Sequence, residues 1–146
     1  MKKAFSLVEI LVVATIISLL ASIAAVSYSR FVKQSRDARR KTDIEQIRAA
    51  IELYRNFNGA YPTPGMTFGV GAIIDDGASP TTYMSRIPND PLSSSPTANT
   101  YYYLSSGTFQ DYTLCAYIEG DVSSATGPTC GAQNCNYCMG PYGQTK

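Results

Sequence analysis

The sequence contains no histidine and no tryptophan. Histidine is the usual general base near neutral pH and a frequent metal ligand, so its absence removes most hydrolytic and metal-dependent catalytic schemes. The chain also lacks a glycine-rich phosphate-binding loop and a G-x-S-x-G motif. The residues therefore predict a protein that is not an enzyme and has no cofactor.

Proline and glycine are also absent from the chain before Gly59. Because these two residues interrupt helices most strongly, their absence permits one helix from Phe5 to about Phe57. The first part of this helix is apolar, and its single charged residue before Arg30 is Glu9. An apolar run of this length is sufficient to cross a bilayer core of about 30 Å.

Glu9 does not fit an ordinary membrane-spanning segment, because a charge in mid-membrane costs about 2.5 to 3.5 kcal/mol. A positively charged partner is therefore expected. Cleavage between Ala4 and Phe5 would create an α-ammonium group four residues before Glu9, in the same chain or in a neighbouring copy.

The segment Ala4-Phe5-Ser6-Leu7-Val8-Glu9, with two lysines before it, resembles the processing site of type IV pilins and type II secretion pseudopilins. The resemblance implies that residues 1–4 are a leader, that a prepilin peptidase cuts before Phe5, and that Phe5 is then methylated. It also implies that Glu9 guides the docking of subunits. An ordinary secretory signal peptide is the alternative, although its apolar region normally carries no charge.

Apolar residues in the second half of the helix recur at spacings of three and four, which defines one helix face. They are Ile44, Ile47, Ile51 and Tyr54, with Ala50, Leu53 and Phe57 widening the stripe. Asn58-Gly59 is predicted to end the helix. Residues 101–104 and 112–118 flank a turn at Ser106-Gly107 and predict an antiparallel hairpin that covers this face.

The expected fold is therefore α+β: a long N-terminal helix packed on a small antiparallel β-sheet head, as the resemblance to pilins also implies. Residues 5–29 are the predicted transmembrane or filament-core half of the helix, and residues 30–58 are its amphipathic half. Residues 59–146 are the predicted head, in which residues 92–100 and the cysteine-rich C-terminal segment are expected to be loops.

Charge is distributed unevenly along the chain. Residues 1–56 hold 10 Lys and Arg against 5 Asp and Glu, and residues 57–146 hold 2 against 6, which gives +5 and −4. We expect the helix of one copy to attract the head of another.

Six of the basic residues lie between Arg30 and Lys41 and are interpreted as an exposed helix surface, including an i,i+4 pair of Asp37 with Lys41. Binding of anionic lipid head groups or of nucleic acid is the alternative.

All four cysteines lie in the last third of the chain, at Cys115, Cys130, Cys135 and Cys138. Outside the cell an even number indicates two disulfides with three possible connectivities, of which we favour Cys115–Cys130 with Cys135–Cys138. The resemblance implies a C-terminal disulfide loop. A cytoplasmic head, which the basic residues after the apolar run favour, would instead use these thiolates to hold zinc.

Loop carboxylates in the head are the remaining candidates for a metal site. They are Asp75, Asp76, Asp111, Glu119 and Asp121. Calcium needs several oxygen ligands brought together, and nothing in the spacing requires these acids to converge. We interpret them as solvated loop acids and predict no metal site.

Two further segments, Ala60-Tyr61-Pro62-Thr63 and Pro88-Asn89-Asp90-Pro91, resemble segments of the major pseudopilins of type II secretion. The leading hypothesis is a structural subunit of a type IV pilus, which assembles as a homo-oligomeric helical filament from the inner membrane through a pilus assembly platform. Its extracellular pilus would serve adhesion, motility or DNA uptake, with nucleic acid as a partner in the last case. The alternatives are a pseudopilin of a type II secretion system and, in another class, a membrane-anchored zinc or binding module.

Overall fold

The structure is a computed structural model that describes residues 6–69, 71–77, 81–94, 98–121 and 127–145, without the side chain of Val26. The chain forms two compact units, Met1–Ser35 and Arg36–Lys146. One α-helix, α1 (Leu7–Asn58), contributes to both units. Within the described residues the predicted uninterrupted helix is confirmed.

The predicted end of the helix is also confirmed. Gly59 adopts a φ of 74°, the left-handed conformation that a glycine accepts without strain. Its N–H donates to the Arg55 carbonyl at 2.7 Å, and the Asn58 side-chain amide donates to the Tyr54 carbonyl at 3.1 Å. These bonds satisfy carbonyl groups that the last turn would otherwise leave without partners.

The described residues of the head form short strands in three antiparallel sheets. In chain order the strands are β1 (Ile74–Asp75), β2 (Thr82–Met84), β3 (Tyr102–Ser105), β4 (Tyr112–Ala116), β5 (Thr129–Cys130), β6 (Gln133–Asn134), β7 (Tyr137–Gly140) and β8 (Gly143–Thr145). The main sheet has the order β3-β4-β7-β8, while β1 pairs with β2 and β5 pairs with β6. The predicted α+β class with a small antiparallel sheet is confirmed.

The predicted hairpin is β3 and β4, which pair with Tyr103 opposite Leu114. The prediction of a loop-like C-terminal segment is wrong, because β5 to β8 all lie there. Each of these strands has only two to four residues, too few for an alternating pattern to be visible in the sequence. Asn99, in the predicted surface loop, is buried and bridges to Gly131.

The core of the head lies between the second half of α1 and the main sheet. The helix contributes Ile44, Ile47, Ala50 and Ile51, which contact the buried faces of β3 and β4 and Met139 of β7. Residues at alternate positions of β4, Tyr112 and Leu114, point into this core. Leu53 and Phe57 were expected on the same face, but they lie at its edge and are largely exposed.

Candidate assembly site

The first unit presents large apolar side chains that are exposed among the residues that the structure describes. The large apolar residues from Leu7 to Ile23 are between 47% and 80% exposed. By length and composition α1 is able to cross a membrane, a test that signal sequences also pass. This surface therefore needs a bilayer or other protein around it to be removed from water.

Hydroxyl groups within the apolar run have partners inside the helix itself. The side chains of Thr15, Ser18 and Ser22 each donate a 2.8 Å hydrogen bond to a backbone carbonyl three or four residues earlier. In hydrocarbon an unpaired polar group costs several kcal/mol. These bonds reduce that cost and make the run compatible with a lipid surrounding.

Glu9 lies exposed in the first turn of α1. The Ser6 carbonyl accepts hydrogen bonds from the N–H groups of Glu9 at 3.1 Å and Ile10 at 3.3 Å. A carboxylate in this turn is favoured by the helix dipole, so Glu9 also has a local structural role. Ala4 and Phe5 lie outside the described residues, and the cut between them and the pairing of Glu9 therefore stay predictions.

In the second unit, Arg40 of α1 has a side chain that is 0% exposed and surrounded by three carboxylates. Its Nε and Nη2 donate to Asp90 at 2.7 and 3.2 Å. Its Nη1 donates to Asp37 and Glu119, each at 2.8 Å. Burial acts to lower the pKa of Arg40, but the hydrogen bonds to Asp90 and Glu119 outweigh it and raise that pKa. The guanidinium thus joins the helix to two separate loops.

Glu119 is held by a second guanidinium as well. Arg36 donates to its two oxygens at 2.7 and 2.6 Å. The hydrogen bond from Arg36 lowers the pKa of Glu119 to about 2, against the effect of burial and with the help of Arg40. Asp37 accepts hydrogen bonds from the backbone N–H groups of Glu119 and Gly120, both at 2.9 Å. Two guanidinium groups and three carboxylates thus lie together in this region.

These contacts correct two sequence predictions. Arg36 and Arg40 are not parts of an exposed basic surface, since both bind Glu119 of the same chain. The attraction of these two arginines to the head therefore operates within one copy, whereas attraction between copies stays a prediction. The partner of Asp37 is Arg40, while Lys41 lies 5.5 Å from the centre of the Tyr137 ring. In the described part of the chain the acidic residues form no cluster of three suited to a metal ion.

Tyrosine hydroxyl groups provide a further set of contacts between sheet and helix. Tyr101 donates to Asp43 at 2.6 Å, and its burial together with this hydrogen bond raises its pKa. Tyr61 and Tyr112 donate to Glu52 at 3.1 and 3.2 Å. These tyrosines are buried, so they position the head on α1 and are unavailable as binding surface.

Two disulfides are present, as predicted, but the favoured pairing is wrong. Cys115 is bonded to Cys138, and Cys130 is bonded to Cys135. The sheet explains the first bond, because Cys115 of β4 lies directly opposite Cys138 of β7. The short β5–β6 hairpin brings the other two cysteines together. All four sulfurs are bonded in pairs, which removes the thiolates that the zinc alternative requires.

A long helix with an uncovered apolar N-terminal part, packed further along on a small antiparallel sheet, defines the class of pilin-like subunits. A family model described as type II secretion system (T2SS), protein G matches residues 28–130. The model of the prokaryotic N-terminal methylation motif matches residues 1–25. The chain belongs to the type II secretion system protein G family.

Two curated relatives are similar to the chain over most of its length. The type II secretion system core protein G of Vibrio cholerae serotype O1 is 30% identical over 122 residues, which covers 77% of this chain and 79% of the relative. The protein of the same description from Pseudomonas aeruginosa is 30% identical over 128 residues, covering 77% and 82%. No solved structure gives a significant match. The matches favour the secretion alternative over the type IV pilus that the sequence analysis placed first.

Proposed function

We propose that the chain is a pseudopilin of a type II secretion system, a structural subunit without enzymatic activity. The observation that carries this proposal is the match of residues 28–130 to the protein G family, together with the apolar helix surface that a single copy leaves exposed. Copies packed side by side through this surface would form the core of a homo-oligomeric helical filament. The heads would lie outside this core.

Assembly in this proposal begins in the inner membrane. A prepilin peptidase removes residues 1–4 by cutting between Ala4 and Phe5, and Phe5 is then methylated, as the N-terminal methylation motif supports. Residues 5–29 remain in the bilayer as a single-pass anchor, residues 30–58 carry the head, and residues 59–146 form it. An assembly platform then moves each copy into the filament, where Glu9 sets the register by pairing with the α-ammonium of Phe5 of a neighbouring copy.

A second candidate is a subunit of a type IV pilus that ends outside the cell. The observation in its favour is the C-terminal region closed by two disulfides, a frequent feature of pilin heads according to the resemblance described above. This candidate retains adhesion, motility or DNA uptake as roles, with nucleic acid as a partner in the last case.

A complementation experiment in the native host separates the two candidates. The gene is deleted, and the strain is complemented with the wild type, with Glu9→Leu, or with Glu45→Leu as a control at an exposed acid in the second half of α1. We expect proteins that the wild-type strain secretes to be missing from the culture medium of the deletion strain and of the Glu9→Leu strain. They should be present in the medium of the Glu45→Leu strain. Loss of long surface filaments with unchanged secretion would favour the pilus.

The N-terminus of the wild-type protein tests the assembly steps independently. Intact mass and N-terminal sequencing of the membrane fraction should find a chain that begins at methylated Phe5. A chain that retains Met1 would exclude the proposed processing, and a chain that begins after Ala24 would indicate an ordinary signal peptide.

A further inference from the structure

Four neighbouring residues at the end of the apolar run form a group that the proposed function does not use. They are Tyr28, Arg30, Phe31 and Lys33, which we call the basic collar. Tyr28 is 70% and Phe31 68% exposed, and both basic side chains are exposed as well. The spacing of three puts Arg30 and Lys33 on one side of the helix and the two aromatic rings on another.

The position of the collar matches the edge of a bilayer. The run from Ile10 to Ser29 contains no charged residue. About 20 helical residues at about 1.5 Å each cover about 30 Å, which is the thickness of the hydrocarbon core. Arg30 is the first charge beyond that length, so the collar would begin where the lipid head groups begin.

The two cations of the collar have no acidic partner in the described part of the chain. No Asp or Glu occurs between Glu9 and Asp37. Asp37 itself is bound by Arg40 and by backbone N–H groups. Arg36 and Arg40, which follow the collar along the helix, are neutralised by Glu119 and other carboxylates. The described residues thus divide the basic segment into cations that are paired with acids of the same chain and exposed cations that are free to bind a partner from outside.

We propose that the basic collar binds the head groups of anionic phospholipids in the leaflet where the apolar run ends. A Lys or Arg near an anionic surface is attracted to it, and aromatic side chains are enriched at the level of the head groups. The aromatic rings and the adjoining span favour lipid over nucleic acid, since both components of the collar match the interface of a bilayer. The inference rests on the membrane stage of the proposed function.

A collar that binds anionic lipid has a consequence for assembly. It fixes the depth of the helix in the bilayer before assembly. The contacts between the collar and the lipid head groups must break when a copy leaves the membrane for a filament. Arg30 and Lys33 then lose their lipid partners and become available to acids of other copies. The collar would thus keep single copies in the membrane until assembly replaces the lipid contacts.

The absence of tryptophan from the chain allows a direct test, because Tyr28→Trp introduces a single indole into the collar itself. The full chain with this change is reconstituted into vesicles that contain equal mole fractions of phosphatidylcholine and phosphatidylglycerol. Only one of the two lipids carries bromine in a given sample, and quenching of the indole by each brominated lipid is compared. We expect phosphatidylglycerol to be enriched around the indole about fivefold or more, and 0.5 M salt to reduce this preference.

Two double variants in the Tyr28→Trp background assign the effect to residues. Arg30→Gln with Lys33→Gln should bring the preference for phosphatidylglycerol close to one. Arg39→Gln with Arg86→Gln also removes two positive charges, but from exposed positions outside the collar, one on α1 and one in the head. This variant should leave the preference intact. An unchanged preference in the first variant, or a loss of it in both, would overturn the assignment to the collar.

The remaining outcomes separate this inference from the proposed function. A chain that floats with the vesicles and resists alkaline extraction, yet shows equal quenching by the two lipids, contradicts the lipid collar alone. A chain that does not float contradicts the membrane stage of the proposed function and the collar with it. If short duplex DNA abolishes the preference at a phosphate concentration below that of the lipid, nucleic acid is the better partner and the lipid proposal fails.

Discussion

The two halves of helix α1 use apolar residues in different ways. From Leu7 to Ile23 they surround the helix and remain exposed, whereas from Arg36 onwards they form one stripe that the sheet covers. Burial stabilises a single copy only where the chain provides a covering surface. The first half therefore contributes little to the folding of the head. Its apolar residues are instead available to contact lipid or neighbouring copies.

The largest expected effect on the head comes from Arg40. Its replacement by Ala leaves Asp37, Asp90 and Glu119 without their shared cation, and breaking a buried ion pair from one side costs about 3 to 5 kcal/mol. We expect Arg40→Ala to lower the free energy of unfolding by this amount. Urea unfolding of the full chain in mild detergent, followed by tyrosine circular dichroism, measures it.

Arg39 provides the matched control, because its side chain is 64% exposed and lies 3.9 Å from Asp43. Such a surface pair contributes about 0 to 1 kcal/mol, so Arg39→Ala should change stability little. Equal effects of the two substitutions would mean that water satisfies the carboxylates around Arg40 and that the buried ion pairs do not stabilise the second half of α1 on the head.

One isoleucine from each half of α1 tests the contrast directly. Ile47 is 0% and Ile17 60% exposed. Removing a fully buried Ile side chain costs about 3 kcal/mol, since it forfeits burial and leaves a cavity. We expect this loss for Ile47→Ala and less than about 0.5 kcal/mol for Ile17→Ala in the same urea experiment. A similar loss for both would show that the first half of the helix does support the head.

The two disulfides should differ in their contribution to the head. Cys115–Cys138 joins residues 23 apart and Cys130–Cys135 residues 5 apart. On loop-closure entropy the longer loop is worth about 3 kcal/mol and the shorter about 2 kcal/mol. Double replacement of each pair by Ala, measured by urea unfolding, should reproduce this order. A reversed order would point to effects of the cysteines on the folded state.

Chymotryptic mapping without reduction checks the pairing itself. Cleavage after Tyr117 and Tyr137 separates Cys115 and Cys138 from the fragment that contains Cys130 and Cys135. The pairing in the structure yields two fragments joined by one disulfide and a third fragment with an internal one. The pairing favoured from the sequence would instead join all three fragments.

Patterns of sufficient length made much of the fold predictable from sequence. The stripe through Ile44, Ile47 and Ile51 covers two turns, and the helix end and the β3–β4 hairpin each have a strong local signal. The N-terminal segment was recognised from contiguous residues for the same reason. The strands of the C-terminal segment are too short for any such signal, and the cysteine pairing depends on the register of those strands.

The charged centre of the head was missed for a different reason. Arg40 stands four residues before Ile44 and seven before Ile47, so it lies on the buried face that the apolar stripe defines. That position was the available signal, but the surrounding basic residues led to the interpretation of an exposed surface. Its partners Asp90 and Glu119 lie far away in sequence, and no local pattern indicates that they meet.

The smallest of the effects considered depends on pH. The pKa of Glu119 is about 2 in the folded protein, below the usual value of 4.5, because of its hydrogen bonds with Arg36 and Arg40. A carboxylate with a lowered folded-state pKa stabilises the protein fully above the pKa of the unfolded chain and loses this contribution as pH falls through the folded value. We expect Glu119→Gln to be less stable than the wild type by about 2 kcal/mol at pH 7, since the carboxylate is partly exposed and screened.

The difference between the two proteins should shrink below pH 4.5 and be small at about pH 2, where half of the wild-type carboxyl groups are protonated. Unfolding in urea at intervals between pH 7 and pH 2 measures this difference. Glu45→Gln is the control, because the side chain of Glu45 is largely exposed in its 3.4 Å contact with Arg48 and should show almost no difference at any pH. A constant difference for Glu119→Gln would assign its effect to packing, and the ion pairs with Arg36 and Arg40 would then not account for the stability of this part of the head.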